Sequence, residues 1–359
     1  MRHRPPVISL RCATTRRAVA AAIAVILVAP LSSSAATKPA FGTTTVFATV
    51  PAPGHPYGVL ATKDSVYVAT GAGRPFHPNT GPEAVFKYRR SGGEPIATLP
   101  IPTMPTMGLH GMAEDGYGRL YVVDMNSRIL RFSPGSATPE VYAMVPEPYM
   151  TLGWPASMWH DLAFDRNGNL YVTDASLGGI WRIPPNGMPE VWFKSVEFAS
   201  MPISGINGIG VGPDGMLYVM LLASSAPDRL GKSALFRLPI TAASPGPDQL
   251  DRVYEFEHAM TSDARSLPMA GASDLVIGRS GRVYITLTGS NELGVVNLAD
   301  RTAKRISSPL FDVPIGIRFL GDSLLLANSN FYDEKPEHWQ VLKVYVGEPA
   351  HPPYRPRIR

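Results

Sequence analysis

WHDLAFDRNGNLYVTD, Trp159 to Asp174, reads as two short β-strands around a tight turn. His160, Asp161, Leu162, Ala163 and Phe164 form the first strand, Asp165-Arg166-Asn167-Gly168 the turn, and Asn169 to Thr173 the second strand. Asn-Gly between two apolar runs predicts a type I′ hairpin, because both central residues of that turn need φ > 0.

The same phrase recurs as PYGVLATKDSVYVAT from Pro56, LHGMAEDGYGRLYVVD from Leu109 and INGIGVGPDGMLYVML from Ile206. It returns as ASDLVIGRSGRVYITL from Ala272 and PIGIRFLGDSLLLANS from Pro314. Six copies at roughly 40 to 65 residues match the period of propeller blades, each of four antiparallel strands. Two further strand-like runs follow the hairpins, Arg128 to Phe132 and Glu140 to Val145 after the second, Gly179 to Ile183 and Glu190 to Phe193 after the third. The sixth copy is followed by one, Val341 to Val346, while TTTVFATV, Thr43 to Val50, stands alone ahead of the first. The fold class is therefore all-β, a six-bladed β-propeller, with the N-terminal strand expected to complete the last blade and close the ring, because open sheet edges invite aggregation. Ala223 to Ser233, Thr241 to Gln249, His258 to Gly271 and Phe331 to Trp339 read as loop insertions.

Residues 1–36 read as a secretory leader. Arg2, Arg4, Arg11, Arg16 and Arg17 precede the apolar run Ala18 to Leu31, and small residues end it at Ser34-Ala35-Ala36. Thr15-Arg16-Arg17 hints at twin-arginine export. The expected mature chain is a propeller over 37–359 with a Pro/Arg-rich tail at 347–359, secreted or extracytoplasmic, without stable membrane insertion. Of 33 basic residues five belong to the leader, leaving 28 against 29 acidic ones. A near-neutral mature chain excludes nucleic acid as a partner, despite Arg355, Arg357 and Arg359. Cys12, the single cysteine, leaves with the leader, which excludes disulfides, thiolate metal sites and cysteine nucleophiles.

The first strand of each blade lines the channel, so equivalent positions converge. Those positions are Tyr57, His110, His160, Asn207, Ser273 and Ile315, with Asp161 and Asp274 adjacent. Imidazoles, carboxylates and an amide around one axis are groups that bind metal or move protons. The plainer reading gives them ordinary lining roles, with Asp161 and Asp274 satisfying neighbouring amides and the histidines packing on Trp154, Trp159 or Met107. Tyr67, Tyr121, Tyr171, Tyr218 and Tyr284 recur at one blade position and read as core; Asp124 and Asp174 read as turn caps. Gly231-Lys232-Ser233 lacks the strand–loop–helix frame of a phosphate loop.

The six phrases, WHDLAFDRNGNLYVTD and INGIGVGPDGMLYVM above all, resemble the SMP-30/gluconolactonase/luciferin-regenerating enzyme superfamily over most of residues 43–346. Similar phrases occur in NHL-repeat propellers. The resemblance implies a divalent metal, often calcium, at one end of the channel, polarising a lactone or ester for hydrolysis while an acidic residue activates water. Asn207-Gly208 matches the family's Asn-Gly ligand. His160-Asp161 stands where Asn-Asp is usual, Ser273-Asp274 where Asp-Gly is usual, and His55-Pro56-Tyr57-Gly58 where a first-blade glutamate is usual. Met158 replaces a substrate-contacting arginine. His160, Asn207 and Ser273 are the expected metal set, with Asp161, Asp274 and His110 in catalysis. Imidazole in place of oxygen favours zinc or another transition metal over calcium.

The expected function is a metal-dependent hydrolase of a small lactone or ester, with a small-molecule substrate as partner. Two alternatives stand beside it, a non-catalytic extracellular NHL-like binding propeller and a lyase using the channel histidines. The sequence assigns no oligomeric state.

Overall fold

The computed structural model describes Met1 and residues 37–358 apart from 72–82, 102–107, 147–156, 199–204, 242, 258–270 and 331–334. The leader, Cys12, Met107 and Trp154 lie outside the described residues, as do most of the insertion from His258 and the start of that at Phe331. Chain contacts separate Met1–Lys38 from Pro39–Arg359, and the fold is that of the second unit.

Among the described residues twenty-four strands, β1 to β24 in chain order, form six four-stranded antiparallel sheets. The innermost strands are β2 (Pro56–Ala61), β6 (Leu109–Glu114), β10 (Trp159–Phe164), β14 (Ile206–Val211), β18 (Ala272–Ile277) and β22 (Pro314–Leu320). Each begins one of the six phrases, and successive inner strands lie side by side, β22 returning to β2. The sixth sheet combines the two ends of the chain. Its order is β22, β23 (Ser323–Asn328), β24 (Gln340–Tyr345), then β1 (Thr44–Thr49), with Thr44 opposite Val344.

The third blade shows how local sequence builds the repeat. β10 pairs with β11 (Leu170–Asp174), Phe164 opposite Leu170, and β12 (Gly179–Ile183) and β13 (Glu190–Lys194) follow. The turn is not type I′, because only Gly168 has positive φ, at 89°. Asp165 is the reason. Its Oδ1 accepts from the Asn167 and Asn169 amides, at 2.8 and 2.9 Å, which draws the turn into a four-residue loop needing one left-handed residue. Asp115 does the same in blade two, accepting from the Tyr117 and Arg119 amides.

Apolar side chains fill the space between neighbouring blades. Trp159, Leu162 and Phe164 pack with Tyr121 of blade two and Trp181 of blade three. Tyr121, Tyr171, Tyr218 and Tyr284 are buried in these layers, whereas Tyr67 is half-buried. The Tyr121 and Tyr218 hydroxyls donate to the turn carboxylates Asp115 and Asp214. Asp124 and Asp174 cap turns, accepting from the Asn126 amide and from the Ser176 and Leu177 amides.

The Pro/Arg-rich tail is part of the fold. Glu348 reaches the turn of blade five, where Gly278 leaves room for its carboxylate, and accepts from Ser280 and the Tyr284 hydroxyl. The chain then crosses to the opposite side. His351 donates its amide to Ile277, Arg355 pairs with Glu114 at 2.8 Å, and Gly116 donates to Pro356. Ile358 is buried in the core between blades two and three. Residues 348–358 thus form a strap across the end of the channel where the inner strands finish, called the lower end below.

Candidate active site

At the upper end, where the inner strands start, the six equivalent residues form a lining of unlike chemistry. Tyr57 packs with Val313 and Ile315. Its ring lies 5.5 Å from that of His110, and the His110 and His160 rings touch, centroid to centroid at 3.6 Å and tilted by 44°. Asn207 and Ser273 follow at the same position on β14 and β18, and all six side chains are buried. The histidines therefore pack on each other, and His110 also on Tyr57. Trp159 instead turns into the core beside Trp181.

One residue deeper the lining is charged. Arg318 donates from Nη2 to Asp161 Oδ1 at 2.9 Å and from Nη1 to Asp274 Oδ2 at 2.7 Å. Asp161 Oδ2 also accepts from the Ile209 amide of the next blade, and Asp274 Oδ2 from that of Ile317. Asp274 Oδ1 accepts from the Leu275 amide, so all four carboxylate oxygens are engaged. Thr173 and Thr286 add matching links, bonding the Asp161 and Asp274 amides and the carbonyls of Asn207 and Ile315. Gly111 explains the alternation of Gly and Asp: a Cβ there would lie 2.0 Å from Asp161 Oδ1.

Electrostatics separates the two layers. Burial drives the His160 pKa down to about 3, and burial, His160 and Arg318 hold His110 well below its ordinary 6.5. Both imidazoles are neutral at pH 7. Burial pushes the Asp161 pKa well above 3.8, against the pull of Arg318 and with the help of Asp274. The deeper layer thus favours a proton on Asp161, beside a guanidinium that both carboxylates hold.

Polar satisfaction separates them further. His160 Nδ1 and Asn207 Oδ1 are buried with no hydrogen-bond partner among the described residues, and so are Ser329 Oγ and both side-chain polar atoms of Asn330. Each such atom costs about 1–3 kcal/mol unless a ligand or water meets it.

The sequence brings His110, His160, Asn207 and Ser273 to one ring, and Asp161 with Asp274 to the layer beneath. It did not single out Arg318. The signal is present: the equivalent positions on the other inner strands are Leu60, Ala113, Ala163, Gly210 and Val276, and one long cation replaces these apolar or small residues.

Calcium does not fit this donor set. The two nearby carboxylates are committed to Arg318 and to backbone amides, and calcium needs six to eight oxygens. A transition metal shared by both imidazoles does not fit their placement either. Ligand bonds of ~2.0–2.1 Å in a tetrahedral site set two ring centroids about 5 Å apart, against the 3.6 Å found. Among the described residues no group of three His, Cys, Asp or Glu side chains is arranged to hold a metal ion.

No protein-family model matches the chain, and no curated protein matches it. Solved structures do. The calcium-binding protein regucalcin from Agrobacterium tumefaciens superposes with a TM-score of 0.58 at 14% identity, over 88% of this chain and 99% of its own. Virginiamycin B lyase from Staphylococcus aureus, in a catalytically inactive histidine-to-alanine form with quinupristin, gives 0.54 at 16%, over 84% and 99%. A gluconolactonase from Xanthomonas campestris gives 0.50 at 14%, over 86% and 99%. At these identities the likeness is one of β-propeller fold alone.

Proposed function

We propose that the chain is an exported enzyme that opens a small lactone or ester at the upper mouth of the channel by imidazole acid–base catalysis. The carrying observation is the pair of buried, unpartnered atoms His160 Nδ1 and Asn207 Oδ1 above a carboxylate layer with every oxygen engaged. Water or substrate supplies the missing partners. His160, neutral at the working pH, takes a proton from the attacking water while Asn207 Oδ1 holds that water by its other hydrogen. The proton then returns to the departing alkoxide, with His110 against the His160 ring fixing its plane. Asp161 and Asp274 brace the inner strands and do not carry the proton. No step is routed through a metal, although regucalcin, of the same fold, is a calcium-binding protein.

The contact of two neutral imidazoles favours a second reading, elimination. One imidazole removes a carbon-bound proton and, as imidazolium, delivers it to the leaving oxygen, which suits the shared propeller fold with virginiamycin B lyase. Export rests on the leader; among the described residues no helix is long and apolar enough to cross a membrane.

The test is a panel of lactones and esters offered to protein purified without chelator or nickel resin, with metal analysis of the same sample. The expected result is turnover that survives chelation and falls in His160→Ala and Asn207→Ala, with substoichiometric metal. Stoichiometric metal lost on Asn207→Ala contradicts the imidazole mechanism, and a protein inert on the whole panel supports the binding-scaffold alternative. Labelled water separates the two chemistries: hydrolysis places its oxygen in the product, and elimination yields an unsaturated product without it.

A further inference from the structure

The channel has a second chamber that the upper site does not use. Between the Arg318 layer and the strap lies a cavity of about 550 Å³, bounded by the finishing ends of all six inner strands and by Pro349 to Arg355. That volume is within the range of small-molecule sites, ~300–1,000 Å³. Its lining includes one apolar residue from each blade, Leu60, Met112, Leu162, Ile209, Leu275 and Phe319. The layer above presents no free charge, since Arg318 is neutralised by Asp161 and Asp274.

The remaining charges lie on one side. Glu114 and Arg355 cancel each other in an ion pair. Lys63 and Arg90, on neighbouring turns of blade one, are exposed and line the cavity. Among the described residues neither faces a carboxylate partner; Arg90 donates to the Thr62 carbonyl. The chamber thus joins an apolar residue from every blade to two cations at its rim that no ion pair holds among the described residues.

We propose that this lower chamber is a second binding site, taking a small amphipathic anion whose apolar body fills it and whose single carboxylate meets Lys63 and Arg90. Burial of an alkyl chain against the apolar part of this lining supplies affinity. The two rim cations select the charged end, and the apolar part of the lining rejects ligands charged along their whole length. The strap forms one wall and is anchored at both ends, by Glu348 on blade five and by Arg355 and Ile358 on blades two and three.

The experiment is calorimetric titration of the full chain with decanoate, with decanol and inorganic phosphate as controls. Saturable one-to-one binding of decanoate is expected, with decanol about tenfold weaker or worse and phosphate silent. The double variant Lys63→Glu, Arg90→Glu weakens decanoate by at least about tenfold, and because both positions are exposed its unfolding midpoint stays that of the wild type. His160→Ala, which removes turnover at the upper mouth, leaves decanoate affinity unchanged. Absence of saturable decanoate binding at millimolar concentration overturns the proposal. Affinity unaltered by the double variant, or lost in His160→Ala, overturns it equally.

Discussion

The two layers of the channel are built from neighbouring residues on the same strands, yet they are opposites. His160 and Asp161 are adjacent in sequence and both buried, one with an orphaned nitrogen and the other with both oxygens engaged. Where polar groups satisfy one another, as in the Arg318 layer, they lock blades three, four, five and six together. Where they do not, as in the ring above, the fold sustains an unfavourable arrangement that a ligand relieves. Burial alone therefore does not distinguish the two layers; burial without a partner does.

Removing Arg318 breaks the comparison most sharply. Arg318→Met leaves two buried carboxylates without their cation, and a loss of ~3–5 kcal/mol is expected in denaturant unfolding. Combining it with Asp161→Asn and Asp274→Asn restores much of that loss, since the uncompensated charge is then gone. A loss near zero in the single variant would show that the layer is not a structural lock.

His160→Ala acts on the other layer. Turnover falls by about 100-fold or more, ~2.7 kcal/mol in the barrier, while unfolding changes less than in Arg318→Met. Equal effects of both variants on stability and on turnover would erase the distinction.

Acid sharpens it further. The folded state holds both imidazoles neutral while the unfolded chain protonates them near pH 6.5. Below 6.5 the unfolded state binds more protons, so stability falls with falling pH, by ~1.4 kcal/mol per pH unit for each imidazole. For His160 the window closes near pH 3. Asp161 works in the opposite sense, because its raised pKa makes the folded state the better proton binder above 3.8. Urea midpoints between pH 7 and pH 5 check the slope, and His160→Asn flattens it.

The smallest effect belongs to the strap. Ile358→Ala costs about 2 kcal/mol, the low end for a buried isoleucine. Turnover at the upper mouth is unaffected.

What the sequence disclosed follows from range. The hairpin phrases are local, and their repetition places His110, His160, Asn207 and Ser273 on equivalent positions without any coordinates. The turn type is not legible in Asn167-Gly168 alone, because the Asp165 carboxylate captures the Asn167 and Asn169 amides. Arg318 meets Asp161 across 157 residues and Asp274 across 44, and no periodicity announces such a pairing. The strap escaped for the same reason. A Pro-rich terminus reads as a tail until the Glu348 carboxylate is seen at the turn of blade five.

The most direct measurement is the titration of the His110 and His160 side chains by NMR between pH 8 and pH 4. Both imidazoles are expected to stay neutral across the range in which a solvated histidine titrates near 6.5. A midpoint near 6.5 for either would mean that the rings stand in water rather than stacked in the channel, and the proposed reactive ring would be lost with it.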